Sequence, residues 1–275
     1  MQLGGTNKIK GVKAFKTGSC SSYDFIARAG GKFKQVHFPS LAFLIDHEEG
    51  YVLFDTGYGD QFFTASERLP YKLYRYGTPV TYSSQDSLKT QLEDSGINTN
   101  EIKTIILSHF HGDHTGGLLD FPHAKIVCSN RAWEAVRDCK GAKAVRQAYL
   151  PGTIPEDFSE RAVFIEETPI LPINKTHAPF SKGYDILGDG SVIAVFLEGH
   201  AKGQFGVFFN DVFLCADATW SSEAIRAKSL PNRAAGLIMS SWKEYKETFD
   251  QVVHFRKLHP EYQIIPSHCT EVSHE

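Results

Sequence analysis

Short apolar runs of four or five residues recur along the chain, bounded by glycine, proline or acidic residues. They alternate with segments whose apolar positions repeat every three or four residues, so the runs predict strands and the repeats predict helices. Leu41-Ala42-Phe43-Leu44-Ile45 and Tyr51-Val52-Leu53-Phe54 flank Asp46-His47-Glu48-Glu49-Gly50, the pattern of a β-hairpin turned at a glycine. Ser83-Ser84 offer an N-cap to a helix running to about Ser95, with Leu88 and Leu92 on one face and Gly96 as its stop. Glu101 to Leu107 and Lys125 to Cys128 read as strands, and Ser129-Asn130 cap a helix bearing Trp133 and Val136. This β-α-β-α alternation predicts an α/β fold. Ser191 to Leu197, Gln204 to Phe209, Val212 to Cys215 and Tyr262 to Pro266 predict further strands, with Asn210-Asp211 as a tight turn. Ser240-Ser241 open a helix whose Trp242, Tyr245, Phe249, Val252 and Leu258 form a core stripe.

Three segments are less regular. Residues 1–19 carry Gly and Lys without a clear period and predict an edge strand or a loose terminus. Residues 150–182, with Pro151, Pro155, Pro169, Pro172 and Pro179, predict a long connection holding one short strand around Val163-Phe164-Ile165. Residues 58–82 form an aromatic-rich insertion: Tyr58, Phe62, Phe63, Tyr71, Tyr74, Tyr76 and Tyr82, with Arg68, Lys72 and Arg75 among them. Insertions of this length are usually functional or mobile. The segment is either a local aromatic core, a cover that turns Phe62 and Phe63 toward a substrate, or a surface for a homodimer.

Composition narrows the function classes. A chain of 275 residues, 41% hydrophobic, suits one large α/β domain or two small ones. A formal charge of −3 gives no basic field, which disfavours nucleic acid or an anionic membrane as partner. No apolar stretch follows Met1-Gln2-Leu3-Gly4-Gly5 and no run nears the roughly 18 residues of a membrane span, so a cytoplasmic location is expected. The five cysteines are scattered without a C-x-x-C pair, against a disulfide framework or a zinc knuckle. Cys128 and Cys215 end apolar runs as small buried thiols, and Cys269, beside His268, is read as core packing too.

The chemistry concentrates in Ser108-His109-Phe110-His111-Gly112-Asp113-His114, directly after Ile105-Ile106-Leu107. Three imidazoles and a carboxylate at this density are hard to explain by packing and point to metal ligation at a strand exit. Gly112 is expected to supply the turn through a positive φ. His200, Asp217 and His268 each follow an apolar strand as well. In α/β sheets ligands gather beyond the strand ends, so these positions can converge on the first cluster. Five imidazoles and two carboxylates exceed the four ligands of a closed single-ion site. They suit two divalent ions sharing a carboxylate, zinc foremost, although manganese, iron and cobalt accept the same ligands. His37, His47, His123, His177, His254, His259 and His274 are read as structural. Asp55, at the end of a buried strand, is either a turn-forming residue or a support that orients a metal-bound histidine.

This order of motifs, with Asp55-Thr56-Gly57 ahead of it, resembles the metallo-β-lactamase-fold superfamily of metal-dependent hydrolases from Leu41 to Cys269. The resemblance implies an αββα sandwich of two β-sheets flanked by helices, a single domain over 1–275, with the site on one edge. It implies that His109, His111 and His200 hold a first metal, that Asp113, His114 and His268 hold a second, and that Asp217 bridges them with Asp55 as support. The implied reaction is attack of a metal-bridging hydroxide on an ester-type carbonyl, with Asp113, or a water, delivering a proton to the leaving group. Within the superfamily, Asp217 speaks against antibiotic hydrolysis and His111 against diiron oxygen reductases. The short stretch after His268 speaks against glyoxalase II-like thioesterases, and the missing basic module against RNA- or DNA-processing members. What remains resembles the N-acyl homoserine lactonases, so a small lactone or related ester is the expected substrate. Those enzymes carry a tyrosine three residues after the bridging acid, where this chain has Trp220. An indole N–H donates a hydrogen bond but does not exchange a proton as a phenol does, so Trp220 is read as a pocket wall. Two alternatives stand beside the lactonase: a phosphodiesterase or thioesterase on the same site, with Lys202 at its mouth, and a non-catalytic metal-binding or sensory protein.

Overall fold

Two β-sheets stacked face to face, with helices on their outer sides, account for the apolar runs. The computed structural model describes residues 8–272, so His274 and the first seven positions lie outside it. The first sheet contains β1 (Ile9–Tyr23), β2 (Gln35–His47), β3 (Gly50–Phe54), β4 (Val80–Thr81), β5 (Ile102–Ile106), β6 (Lys125–Cys128) and β7 (Ala162–Phe164), in the order β4-β1-β2-β3-β5-β6-β7. The second contains β8 (Ile170–Pro172), β9 (Lys182–Asp185), β10 (Ile193–Phe196), β11 (Phe205–Phe209), β12 (Val212–Ala216) and β13 (Gln263–Pro266), in the order β13-β12-β11-β10-β9-β8.

Alternation along the strands sorts side chains between layers. In β2, Leu41, Phe43 and Ile45 face the second sheet and pack with Phe205, Val207 and Leu214. Ala42 and Leu44 face the other way, toward Leu88 and Leu92 of the helix Leu88–Asp94. On the far side, Val195, Phe208 and Phe213 meet Val252 and Phe255 of the helix Trp242–Leu258. Because both faces of these strands are covered, they read as continuous apolar runs. The result is the αββα sandwich that the resemblance implies. β3, β5 and β6 run parallel, as do β12 and β13, and the candidate ligands follow the ends of β5, β10, β12 and β13.

Several local expectations are corrected. The proline-rich stretch 150–182 holds β8 and the start of β9 besides β7. β8 is the edge strand, where Pro172 needs no donor on its outer side. β1 is a full strand of 15 residues, and its sequence lacks a period because β4 covers only Ser19 and Cys20 on its outer edge. The segment 83–95 splits: Ser83 starts a 3-10 turn, and Ser87 caps the α-helix by accepting from Thr90 N–H at 3.1 Å. Leu258 leaves the core stripe with 46% exposure, and Phe255, one turn earlier, is the buried position. Cys269 packs in the core between the sheets, its Sγ 3.2 Å from Ser222 Oγ. Among the described residues no helix is long and apolar enough to cross a membrane.

Candidate metal centre

The loop after β5 delivers the first ligand candidates. His109 and His111 lie beyond the strand, with ring centroids 4.4 Å apart, and the short helix Gly112–Thr115 then turns Asp113 and His114 back toward them. Gly112 adopts helical rather than left-handed backbone, which corrects the expected role of its φ. What it supplies is room, since a Cβ there would sit 3.0 Å from the rings of Phe62 and Tyr74. Gly199, with φ +119°, brings His200 in: a side chain at that position would collide with the backbone of Tyr245. Asp55 and Ala216, at the exits of β3 and β12, both hold positive φ. Strain of this kind, roughly 1–3 kcal/mol per residue, gathers where a fold fixes functional groups.

The structure brings all seven candidates together: His109, His111, Asp113, His114, His200, Asp217 and His268 are each at most 9% exposed. Their ligating atoms fall into three groups within 4.8 Å: His109 with His111 and His200, Asp113 with His114 and His268, and His109 with His114 and Asp217 between them. Asp217 Oδ2 lies 3.1 Å from both His200 Nε2 and His268 Nε2, while Oδ1 lies 3.7 Å from His114 Nε2.

A supporting layer fixes the rings from behind. His114 Nδ1 pairs with Asp55 Oδ2 at 2.7 Å, and His268 Nδ1 donates to the Pro39 carbonyl at 2.8 Å. Ser108 Oγ donates to Asp55 Oδ2 at 2.8 Å and accepts from His109 Nδ1 at 3.0 Å, and Ser108 N–H donates to Asp55 Oδ1. Asp55 therefore holds two of the histidines, one directly and one through Ser108, and its side chain bonds to a distant loop rather than to its own turn. A ring held by Nδ1 turns Nε2 toward the centre. Among the described residues His109 Nε2, His114 Nε2, His200 Nδ1 and Asp217 Oδ1 are buried without a hydrogen-bond partner. Each such atom costs about 1–3 kcal/mol. His200 turns its Nε2 rather than this Nδ1 to Asp217, so His109 Nε2, His114 Nε2 and Asp217 Oδ1 are the three that face the centre, a poor structural core and a good fit to cations.

Burial and proximity divide the titration behaviour. Burial, and then the neighbouring imidazoles, push His109 well down, and burial with His200 nearby takes His111 down to about 3. Burial also lowers His200. For His114 burial acts downward too, but the carboxylates of Asp55, Asp113 and Asp217 outweigh it and hold the ring up at about 10. Against the same burial, Asp217 and Asp113 hold His268 at about 9. Asp113 and Asp217 lie below their ordinary value because the histidines outweigh the burial that would raise them. Without metal, then, protons stand on His114 and His268 where positive charge is wanted.

The family model described as the metallo-beta-lactamase superfamily matches residues 36–268. The chain belongs to this superfamily. Together with its lactonase and metallo-hydrolase relatives, this membership makes it a metal-dependent hydrolase. Among curated relatives, the N-acyl homoserine lactonase AttM of Azorhizobium caulinodans is 26% identical over 211 residues, 73% of this chain and 72% of that protein. An N-acyl homoserine lactone hydrolase, solved with N-hexanoyl-L-homoserine at its catalytic metal centre, shares the fold with a TM-score of 0.73 at 17% identity, covering 96% of this chain and 95% of that one. AidC, a dizinc quorum-quenching lactonase, superposes with a TM-score of 0.61 at 16% identity, covering 94% of this chain and 87% of that one.

Around the superfamily's edge site the structure also places the expected pocket residues. Trp220 stands edge-on to His200 with centroids 6.3 Å apart, and at the same distance from Phe38. Phe62 is fully buried and packs on Tyr58, Phe63 and Tyr74, so it backs the site rather than lining a pocket. Phe63 is partly exposed, stacked on Tyr82 with Arg75 over its ring. The insertion 58–82 is thus a local aromatic core around Tyr58, Phe62 and Leu150. One of its members reaches the centre: Tyr74 donates its hydroxyl to Asp113 Oδ1 at 3.1 Å. No spacing in the sequence links position 74 to position 113, so only the fold shows this contact.

Proposed function

We propose that this chain is a dinuclear metal hydrolase that opens lactones. The observation that carries the reading is the convergence of seven buried side chains into two triads with Asp217 between them. His109, His111 and His200 would hold one ion, Asp113, His114 and His268 the other, and Asp217 both. Two divalent ions, zinc foremost, supply Lewis acidity toward a carbonyl oxygen and an ionised water at neutral pH. The relatives and fold neighbours that act on N-acyl homoserine lactones support the substrate class, and the dizinc neighbour supports the number and identity of the ions.

The chain's own residues would do the rest. Asp113, at the centre's edge with one oxygen turned toward His268 and His114, would take the proton that the attacking water gives up and pass it to the departing alkoxide when the ring opens. Trp220 and Phe38 offer an apolar wall beside His200 for the substrate's organic part. All five cysteines are free thiols, in keeping with a cytoplasmic location. A panel of acyl homoserine lactones, simple lactones, thioesters and phosphodiesters tests the substrate class. Lactone opening faster than any other hydrolysis is expected; preferential turnover of a phosphodiester or thioester would replace the lactone reading, and turnover of none would favour a binding protein.

A further inference from the structure

The aromatic insertion sends one polar atom into the centre. Tyr74 sits on the helix Lys72–Gly77, and its hydroxyl donates to Asp113 Oδ1 at 3.1 Å. The other carboxylate oxygen, Oδ2, lies 3.5 Å from His268 Nε2 and 3.9 Å from His114 Nε2. The two oxygens of Asp113 therefore face different neighbours. A carboxylate rotates readily about its last torsion, and a donor on one oxygen removes that freedom and fixes which oxygen faces the ligand triad. The donor is itself held. Phe62 packs edge-on against the Tyr74 ring with centroids 5.4 Å apart, and Gly112 leaves the space in which the ring lies. Among the described residues Tyr74 is the only phenol hydrogen-bonded to any of the seven side chains.

We propose that Tyr74 is the positioning residue of Asp113, holding Oδ1 so that Oδ2 is presented to the cation held with His114 and His268. This rests on the reading of Asp113 as a ligand of the second ion. It also gives the insertion a role: the aromatic core of 58–82 is the mount for one hydroxyl.

The test is Y74F, which removes only the hydroxyl, compared with the full-length wild type, D113A and the double variant. Zn2+ binding is measured by competition with a chromophoric chelator, and lactone turnover is measured alongside. In Y74F the weaker of two zinc affinities should fall about 10–100-fold while the other stays within about twofold, and kcat should fall with little change in KM. In the D113A background the same substitution should have no further effect on zinc affinity, since the hydroxyl acts only through that carboxylate. Unaltered affinities in Y74F, or an equal loss in the D113A background, would overturn the proposal. Wild-type protein that binds fewer than two zinc ions would overturn the dinuclear reading itself, a result separate from any effect of Tyr74.

Discussion

Asp217 Oδ2 lies 3.1 Å from a histidine of each triad, the geometry on which its proposed role as the shared ligand rests. D217A should therefore lower metal content to less than one equivalent and cut turnover by at least ~100-fold. Retained metal and rate in that variant would remove the bridging assignment. The two raised imidazoles add a pH signature. His114 and His268, held at about 10 and about 9, keep their protons through neutral pH in the metal-free protein and must lose them to bind an ion. Apparent zinc affinity should therefore climb as pH rises from 6 toward 9. Calorimetry at pH 7 in buffers of different ionisation enthalpy should find about three protons released as the centre fills, two from these rings and one from the water the ions ionise; release of no more than about one would show these rings already neutral. At this scale most of the centre was legible, because His109, His111, Asp113, His114, His200, Asp217 and His268 each follow an apolar strand. Tyr74 was not, because only the folded insertion brings its hydroxyl to Asp113.

The helix Trp242–Leu258 shows what element-level patterns do and do not carry. Its apolar stripe announced a packed face, but the stripe's last turn points away from the sheet: Phe255 is fully buried and Leu258 is 46% exposed. F255A should destabilise the protein by about 3–5 kcal/mol and L258A by no more than ~0.5 kcal/mol, measured by denaturant unfolding of the metal-loaded forms. Comparable losses would mean the helix packs in another rotation. Strands covered on both faces, such as β2, β5 and β12, were legible from their continuous apolar runs. β8 and the start of β9 were hidden by prolines that an edge position tolerates, and β1 by polar residues along its nearly unpartnered outer edge. Gly112 was legible as essential to the loop, but for close approach rather than for its φ.

At the scale of the whole molecule, the sandwich assembles one centre from four strand exits and the aromatic insertion braces it from the side. The price is a metal-free centre in which His109 Nε2, His114 Nε2 and Asp217 Oδ1 are buried without partners and the carboxylates hold protons on His114 and His268. Both features fit a fold completed by cations rather than by packing. The most direct test titrates Zn2+ into metal-free protein while bound metal and lactone opening are followed together. Lactone turnover should reach its plateau at about two equivalents per chain, with the second equivalent required for full rate. A plateau at one equivalent, or two bound ions without opening of any lactone, would contradict the account.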